Sequence, residues 1–136
     1  MIVADVNLIA YLLLPGERTE AAEGVFRTDP EWVVPLLWRS ELRNVLVGSV
    51  RTGDLTLGDA IRVVARAENL MAGREAEVDS RRVLELAVGS RCSVYDCEYV
   101  ALAEYLGVRL VTADTKVLRN FPDVARSPRQ FLEGAG

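Results

Sequence analysis

The chain has 136 residues, half of them hydrophobic and about a quarter charged, which suits one globular domain over residues 1–136 with a core of its own. It contains no histidine and has a net charge of −4, which excludes Ser-His-Asp and Cys-His catalysis, His-ligated zinc and bulk electrostatic coating of nucleic acid. No apolar run approaches the roughly 20 residues that span a bilayer, so no membrane association is expected.

In chain order, Ile2 to Ala4 reads as a short apolar strand leading into Asp5-Val-Asn7, and Leu8 to Leu14 as a helix stopped by Pro15-Gly16. The opening residues have no basic leader, so Met1 to Asp5 is expected not to be a secretory signal. Thr19 is placed to cap a helix through Phe26. Trp32 to Val34 is a second strand closed by Pro35, and Leu36 to Val50 a long helix ended by Gly53-Asp54. Thr56 suits the N-cap of a helix to about Met71. Glu77-Val78 reads as a short edge strand, followed by a helix capped by Asp79 or Ser80 and running to Val88. Ser93 caps a helix that carries Tyr95-Asp96 and reaches Leu106, with Gly107 in the position glycine favours. Val108 to Thr112 is the clearest strand and runs into Ala113-Asp114. A helical turn over Lys116 to Arg119, an edge strand at Val124-Ala125 and a helix from Ser127 complete the chain. The pattern predicts an α/β fold: a central, mostly parallel sheet of about five short strands flanked by helices. Cys92 and Cys97 are the only cysteines and match no zinc spacing, as expected of reduced thiols in a cytoplasmic protein.

Chemistry is therefore left to carboxylates. Most of the 20 Asp and Glu residues must be solvated, but four stand where a surface charge would not. Asp5 follows the apolar strand Ile2-Val3-Ala4, and Asp114 stands just beyond Arg109-Leu-Val-Thr112. In a parallel sheet, ligands bind beyond the carboxyl ends of the strands where the strand order reverses, although Asp after a strand also commonly caps the next helix. Glu41 shares a helix face with Leu37 and Val45. An unpaired carboxylate there is costly unless a cation or an internal arginine compensates it. Asp96 lines up with Val100 and Ala103, in a first turn where the helix dipole also favours an anion. Brought together, four carboxylates repel one another unless a cation is present. Hard oxygen ligands without histidine or thiolate select Mg²⁺ or Mn²⁺, which can activate water and hold a phosphate.

Four segments carry a family resemblance: Val3-Ala-Asp5-Val-Asn7, Trp38-Arg-Ser40-Glu41-Leu42, Val94-Tyr-Asp96-Cys-Glu98-Tyr99-Val-Ala101-Leu-Ala103 and Leu110-Val-Thr112-Ala-Asp114-Thr-Lys116. In order and spacing the chain resembles the PIN-domain nucleases, and most of all the VapC-type toxins of toxin–antitoxin pairs. The resemblance implies a Mg²⁺- or Mn²⁺-dependent ribonuclease acting on single-stranded or looped RNA. It implies Asp5, Asp96 and Asp114 as metal ligands, directly or through water. Glu41 would orient or deprotonate the attacking water, or help hold a second ion, and Asn7 and Thr112 would orient the aspartates or a metal-bound water. It also implies a homodimer held inactive by a cognate antitoxin that places a basic side chain in the acidic pocket. Many relatives carry a further acid just after the last motif, where this chain has Thr115-Lys116.

Arg39, Arg43, Lys116 and Arg119 are the candidate RNA-phosphate contacts, by closeness to the acidic motifs. Trp38 and Tyr95 are aromatics that could stack on bases, though an aromatic beside an apolar helix face is more often core. Two other readings compete: a housekeeping PIN nuclease in RNA processing, and a non-catalytic PIN-like module that binds RNA or protein. A phosphatase of the haloacid-dehalogenase type is disfavoured, because position 7 is Asn and no Asp-x-Asp pair follows the first strand.

Overall fold

Ile2–Ala4 (β1) is buried at all three positions, as an all-apolar strand must be when helices cover both faces of a parallel sheet. It is the middle strand of the computed structural model, which describes residues 1–134; the last two residues of the expected 1–136 domain lie outside the described residues. Trp32–Pro35 (β2) pairs parallel with β1 on one side, Ile2 opposite Trp32, and Glu75–Ala76 (β3) lies beyond it. Leu110–Val111 (β4) pairs on the other side, with Val3 opposite Leu110 and Ala4 opposite Val111, and Ala125–Arg126 (β5) closes that edge. The order is β3-β2-β1-β4-β5 with every pairing parallel.

Eight helices accompany these strands among the described residues: α1 (Val6–Leu13), α2 (Thr19–Thr28), α3 (Trp38–Arg51), α4 (Leu57–Leu70), α5 (Ser80–Val88), α6 (Val94–Leu106), α7 (Thr115–Asn120) and α8 (Pro128–Gly134). The two-residue period of the strands sorts the core into two layers. Ile2, Ala4, Trp32, Val34 and Val111 pack with α1, α2, α3, α4 and α8, whereas Val3, Val33, Leu110 and Ala125 pack with α5 and α6. No described helix is long and apolar enough to cross a membrane.

Most expected elements are present, with instructive shifts. The edge strand is Glu75–Ala76, not Glu77-Val78, because its register is set by pairing with Val34 and Pro35. Its position is further fixed by the Glu75 carboxylate, which accepts from the Trp38 indole at 2.8 Å and the Arg39 guanidinium at 2.8 and 2.9 Å. The last strand likewise lies one residue later than expected, and β4 is shorter. Thr19 does not cap α2. Arg18 holds that place without a side-chain hydrogen bond, and the Thr19 hydroxyl instead donates to the Leu14 carbonyl at 2.8 Å, tying α1 to α2. Thr56, Asp79 and Ser93 cap as expected, and Gly107 ends α6 at φ 66°, the left-handed conformation in which a Cβ is strained.

Candidate active site

At the carboxyl edge of the sheet, β1 and β4 are neighbours whose onward connections run to opposite sides, the switch point of an open α/β sheet. Each strand delivers an acid there. Asp5 follows β1, and its amide donates to the Val111 carbonyl at 3.1 Å, continuing the ladder. Thr112 follows β4 and is buried; its hydroxyl donates to Asp5 Oδ2 at 2.8 Å and accepts from the Asp114 amide at 3.1 Å. One hydroxyl thus ties two of the acids to each other. Asp114 also caps α7, its Oδ1 accepting from the amides of Lys116 and Val117 at 2.9 and 3.3 Å.

Glu41 comes from the first turn of α3 and accepts a 2.6 Å hydrogen bond from the Tyr99 hydroxyl of α6. Asp96 lies in the first turn of α6 in a capping box. Ser93 Oγ accepts from the Asp96 amide at 3.0 Å, and Asp96 Oδ2 accepts from the Ser93 amide at 3.3 Å. Capping therefore uses one oxygen each of Asp96 and Asp114. Asn7 is half-buried beside Asp5, and its side chain makes no hydrogen bond among the described residues.

The electrostatics show that the acids sense one another. Burial pushes Asp5 above its ordinary carboxylate value; the Thr112 hydrogen bond opposes this, and the Asp114 charge adds to it. Burial also raises Glu41, against the Tyr99 hydrogen bond, and the charges of Asp5, Asp96 and Glu98 push it further. Among the described residues, none of Asp5, Glu41, Asp96 or Asp114 forms an ion pair. Nor, among those residues, do three or more acids or thiols stand close enough to hold a metal ion as they lie. Glu98 is the acid that sequence reasoning missed. It lies off the Asp96 face of α6 but shares a face with Val94, Ala101 and Leu102, the same signal of a carboxylate in an apolar stripe that singled out Glu41, and it is half-buried and raised by that burial.

The PIN domain model matches residues 2–126. The chain belongs to the PIN-domain family. Its sequence is 33% identical over 125 residues, 89% of this chain and 95% of the relative, to Ribonuclease VapC3 of Pyrobaculum aerophilum. Among solved structures, this PIN domain is similar to PAE2754 of the same organism, with TM-score 0.76, 22% identity and 98% and 97% of the two chains covered. It is also similar to a toxin–antitoxin complex from Klebsiella pneumoniae (TM-score 0.66, 19% identity, 94% and 98% covered). A third likeness is to FitAcB from Neisseria gonorrhoeae (TM-score 0.68, 19% identity, 95% and 99% covered).

The basic residues flanking this PIN-domain site divide into two groups. Arg39 is engaged by Glu75 at 2.8 Å and Glu68 at 3.0 Å, and Arg43 lies 4.0 Å from Glu68. Lys116 and Arg119 are exposed on α7 just past Asp114 and form no ion pair among the described residues. Trp38 is fully buried, so it is a core residue and not a stacking platform, whereas Tyr95 is exposed.

Proposed function

We propose that the chain is a divalent-metal-dependent endoribonuclease, using Mg²⁺ or Mn²⁺, that hydrolyses phosphodiester bonds in single-stranded or looped RNA. In this reading it is the toxin of a VapBC-type pair, working in the cytoplasm as a homodimer under an antitoxin's control. The observation that carries the proposal is the gathering of Asp5, Glu41, Asp96 and Asp114 around the switch point with neutral hydrogen-bond partners only.

The donor set fits a hard cation: every side chain offered is a carboxylate, and burial of Asp5 and Glu41 is not offset by an arginine or lysine. Such an ion, when bound, supplies an acidified water and stabilises charge on the leaving oxygen. Asp5, Asp96 and Asp114 would hold it, directly or through water. Thr112 keeps Asp5 and Asp114 oriented through its two hydrogen bonds, and Asn7 would support Asp5 from the first turn of α1. Glu41 keeps one oxygen on Tyr99, and its other oxygen would orient the attacking water or take its proton.

Lys116 and Arg119 would meet the RNA phosphates, and Arg43 remains a further candidate. Arg39 acts instead by clamping α3 to β3. The same uncompensated acids would accept a guanidinium from an antitoxin, which explains how a basic segment could silence the site. Leu36, Leu84 and Val94 are exposed around one cleft and would offer an apolar face to a second copy in the proposed homodimer.

The test is cleavage of total tRNA, ribosomal RNA and a single-stranded RNA panel in Mg²⁺, Mn²⁺ or EDTA, with Asp96→Asn prepared identically. Discrete products that need metal and vanish in the variant are expected. No cleavage together with no Mn²⁺ binding would overturn the catalytic reading and leave a binding module.

A further inference from the structure

Tyr99 stands three residues after Asp96 on α6, with its ring sealed in the α5/α6 core layer and 4% exposed. Its hydroxyl reaches out of that layer to Glu41 Oε1 on α3 at 2.6 Å, joining residues 58 apart in sequence. This is the side-chain hydrogen bond that Glu41 makes among the described residues; Oε2 receives none, and no cation pairs with the carboxylate.

The chemistry of the partner matters. An arginine here would neutralise Glu41, whereas a phenol donates one hydrogen bond, keeps its proton and leaves the negative charge in place. Burial and the Glu41 charge push the Tyr99 hydroxyl far above its ordinary value, so it stays a donor throughout the working pH range. A glutamate side chain has several rotatable bonds, and anchoring one oxygen through a rigid ring removes most of that freedom. The second oxygen is then fixed relative to Asp5 and Asp96, whose charges Glu41 already feels.

We propose that Tyr99 is the positioning residue of the site, holding Glu41 by one oxygen so that the other faces the acid cluster. The inference rests on the reading of Glu41 as the group that handles the attacking water. Positioning of this kind acts on the chemical step rather than on RNA binding.

Tyr99→Phe removes the hydroxyl and keeps the ring. The expected result is a fall in kcat of about 10- to 100-fold with KM for RNA within about threefold of wild type. In a Glu41→Gln background the same substitution should change kcat by less than about twofold, because there is no longer a catalytic carboxylate to position. An equal fall in both backgrounds would mean that Tyr99 serves only the fold and would overturn the proposal, as would an unchanged kcat in the first.

A crystal structure of Tyr99→Phe gives a readout independent of activity: Glu41 should occupy several rotamers instead of one, and an undisturbed Glu41 overturns the proposal. If the variant does not fold, NMR of the wild-type protein with ¹³C-labelled glutamate replaces it. A slowly exchanging Tyr99 hydroxyl proton correlated with the Glu41 carboxyl carbon supports the anchor, and its absence refutes it. These structural readouts stand even if the wild-type protein cuts no RNA, an outcome that would sink the nuclease reading and leave the Tyr99–Glu41 anchor to be judged on its own.

Discussion

Replacing Glu75 by glutamine should destabilise the protein in a strongly pH-dependent way. Glu75 accepts three hydrogen bonds from Trp38 and Arg39, and the Arg39 guanidinium, followed by the Trp38 indole, holds its pKa down from 4.5 to about 2. At face value a drop of that size is worth about 3 kcal/mol. The Glu75 side chain is 21% exposed and that of Arg39 is 39% exposed, so solvent screening reduces the net contribution to about 1–2 kcal/mol. The folded-state pKa lies below the unfolded one, so this stability is fully present above about pH 4.5 and is lost as pH falls toward about 2. Urea melts of wild type and Glu75→Gln should differ by about 1–2 kcal/mol near neutrality, roughly 3–8 °C in Tm, and converge only as the pH falls toward about 2. A gap that stays constant down to that pH would show that packing rather than charge holds β3 to α3. Because the clamp grips the residues just before Glu41, Glu75→Gln should also slow cleavage, and RNA affinity should keep its salt dependence.

Three further outcomes follow from the site. Asp5→Asn should abolish cleavage yet raise Tm in EDTA, by an amount that grows with pH. Burial lifts the Asp5 pKa in the folded state, so the stability it confers is present at low pH and lost as pH rises through the folded value; a variant that melts below wild type at pH 8 would contradict this. Thr112→Val leaves Asp5 Oδ2 and the Asp114 amide without their partner. It should cost about 1–3 kcal/mol in denaturant melts and at least about tenfold in kcat, with Thr112→Ser restoring both. Lys116→Ala and Arg119→Ala should each raise KM for RNA and flatten its salt dependence by about one phosphate contact, while Arg39→Ala should lower stability and leave that slope intact.

The sheet, and the positions of the four candidate acids relative to it, were legible in the sequence for a definite reason. An all-apolar triplet such as Ile2–Ala4 has to be a buried parallel strand, and an acid at its end then has only the carboxyl edge to occupy. Glu41 and Asp96 could be found because each interrupts an apolar helical stripe. Partnerships across the fold were less legible. Arg39 reads as a phosphate contact because it stands close to an acidic motif in sequence, while its partners Glu68 and Glu75 are 29 and 36 residues away. The edge strand was misplaced by two residues because a two-residue strand has no periodicity to read, and its register belongs to β2. Glu98 was legible by the same rule, since Val94, Ala101 and Leu102 share its face, but α6 is apolar on nearly every side and offers no single stripe for an acid to interrupt.

The pairing of charges across the molecule bears on why the site stays reactive. The ion pairs of the described residues lie away from these acids, among them Arg39 with Glu68 and Glu75, Arg62 with Asp59, Arg82 with Glu85 and Glu104, and Arg129 with Glu133. Within the acid cluster the side-chain donors to Asp5 and Glu41 are hydroxyls, Thr112 and Tyr99. A hydroxyl orients a carboxylate while leaving its charge uncancelled, whereas a guanidinium would satisfy it and leave no charge for the metal or antitoxin cation of the proposed function. The fold therefore accepts the cost of burying unneutralised acids at the one edge where a ligand can repay it by binding the folded state alone. Introducing an internal cation should reverse this trade: Asn7→Lys, beside Asp5, is expected to raise Tm in EDTA and to abolish both Mn²⁺ binding and cleavage. A variant that gains no stability but still loses metal would show that Asp5 and its neighbours are less strained by their charge than their burial implies.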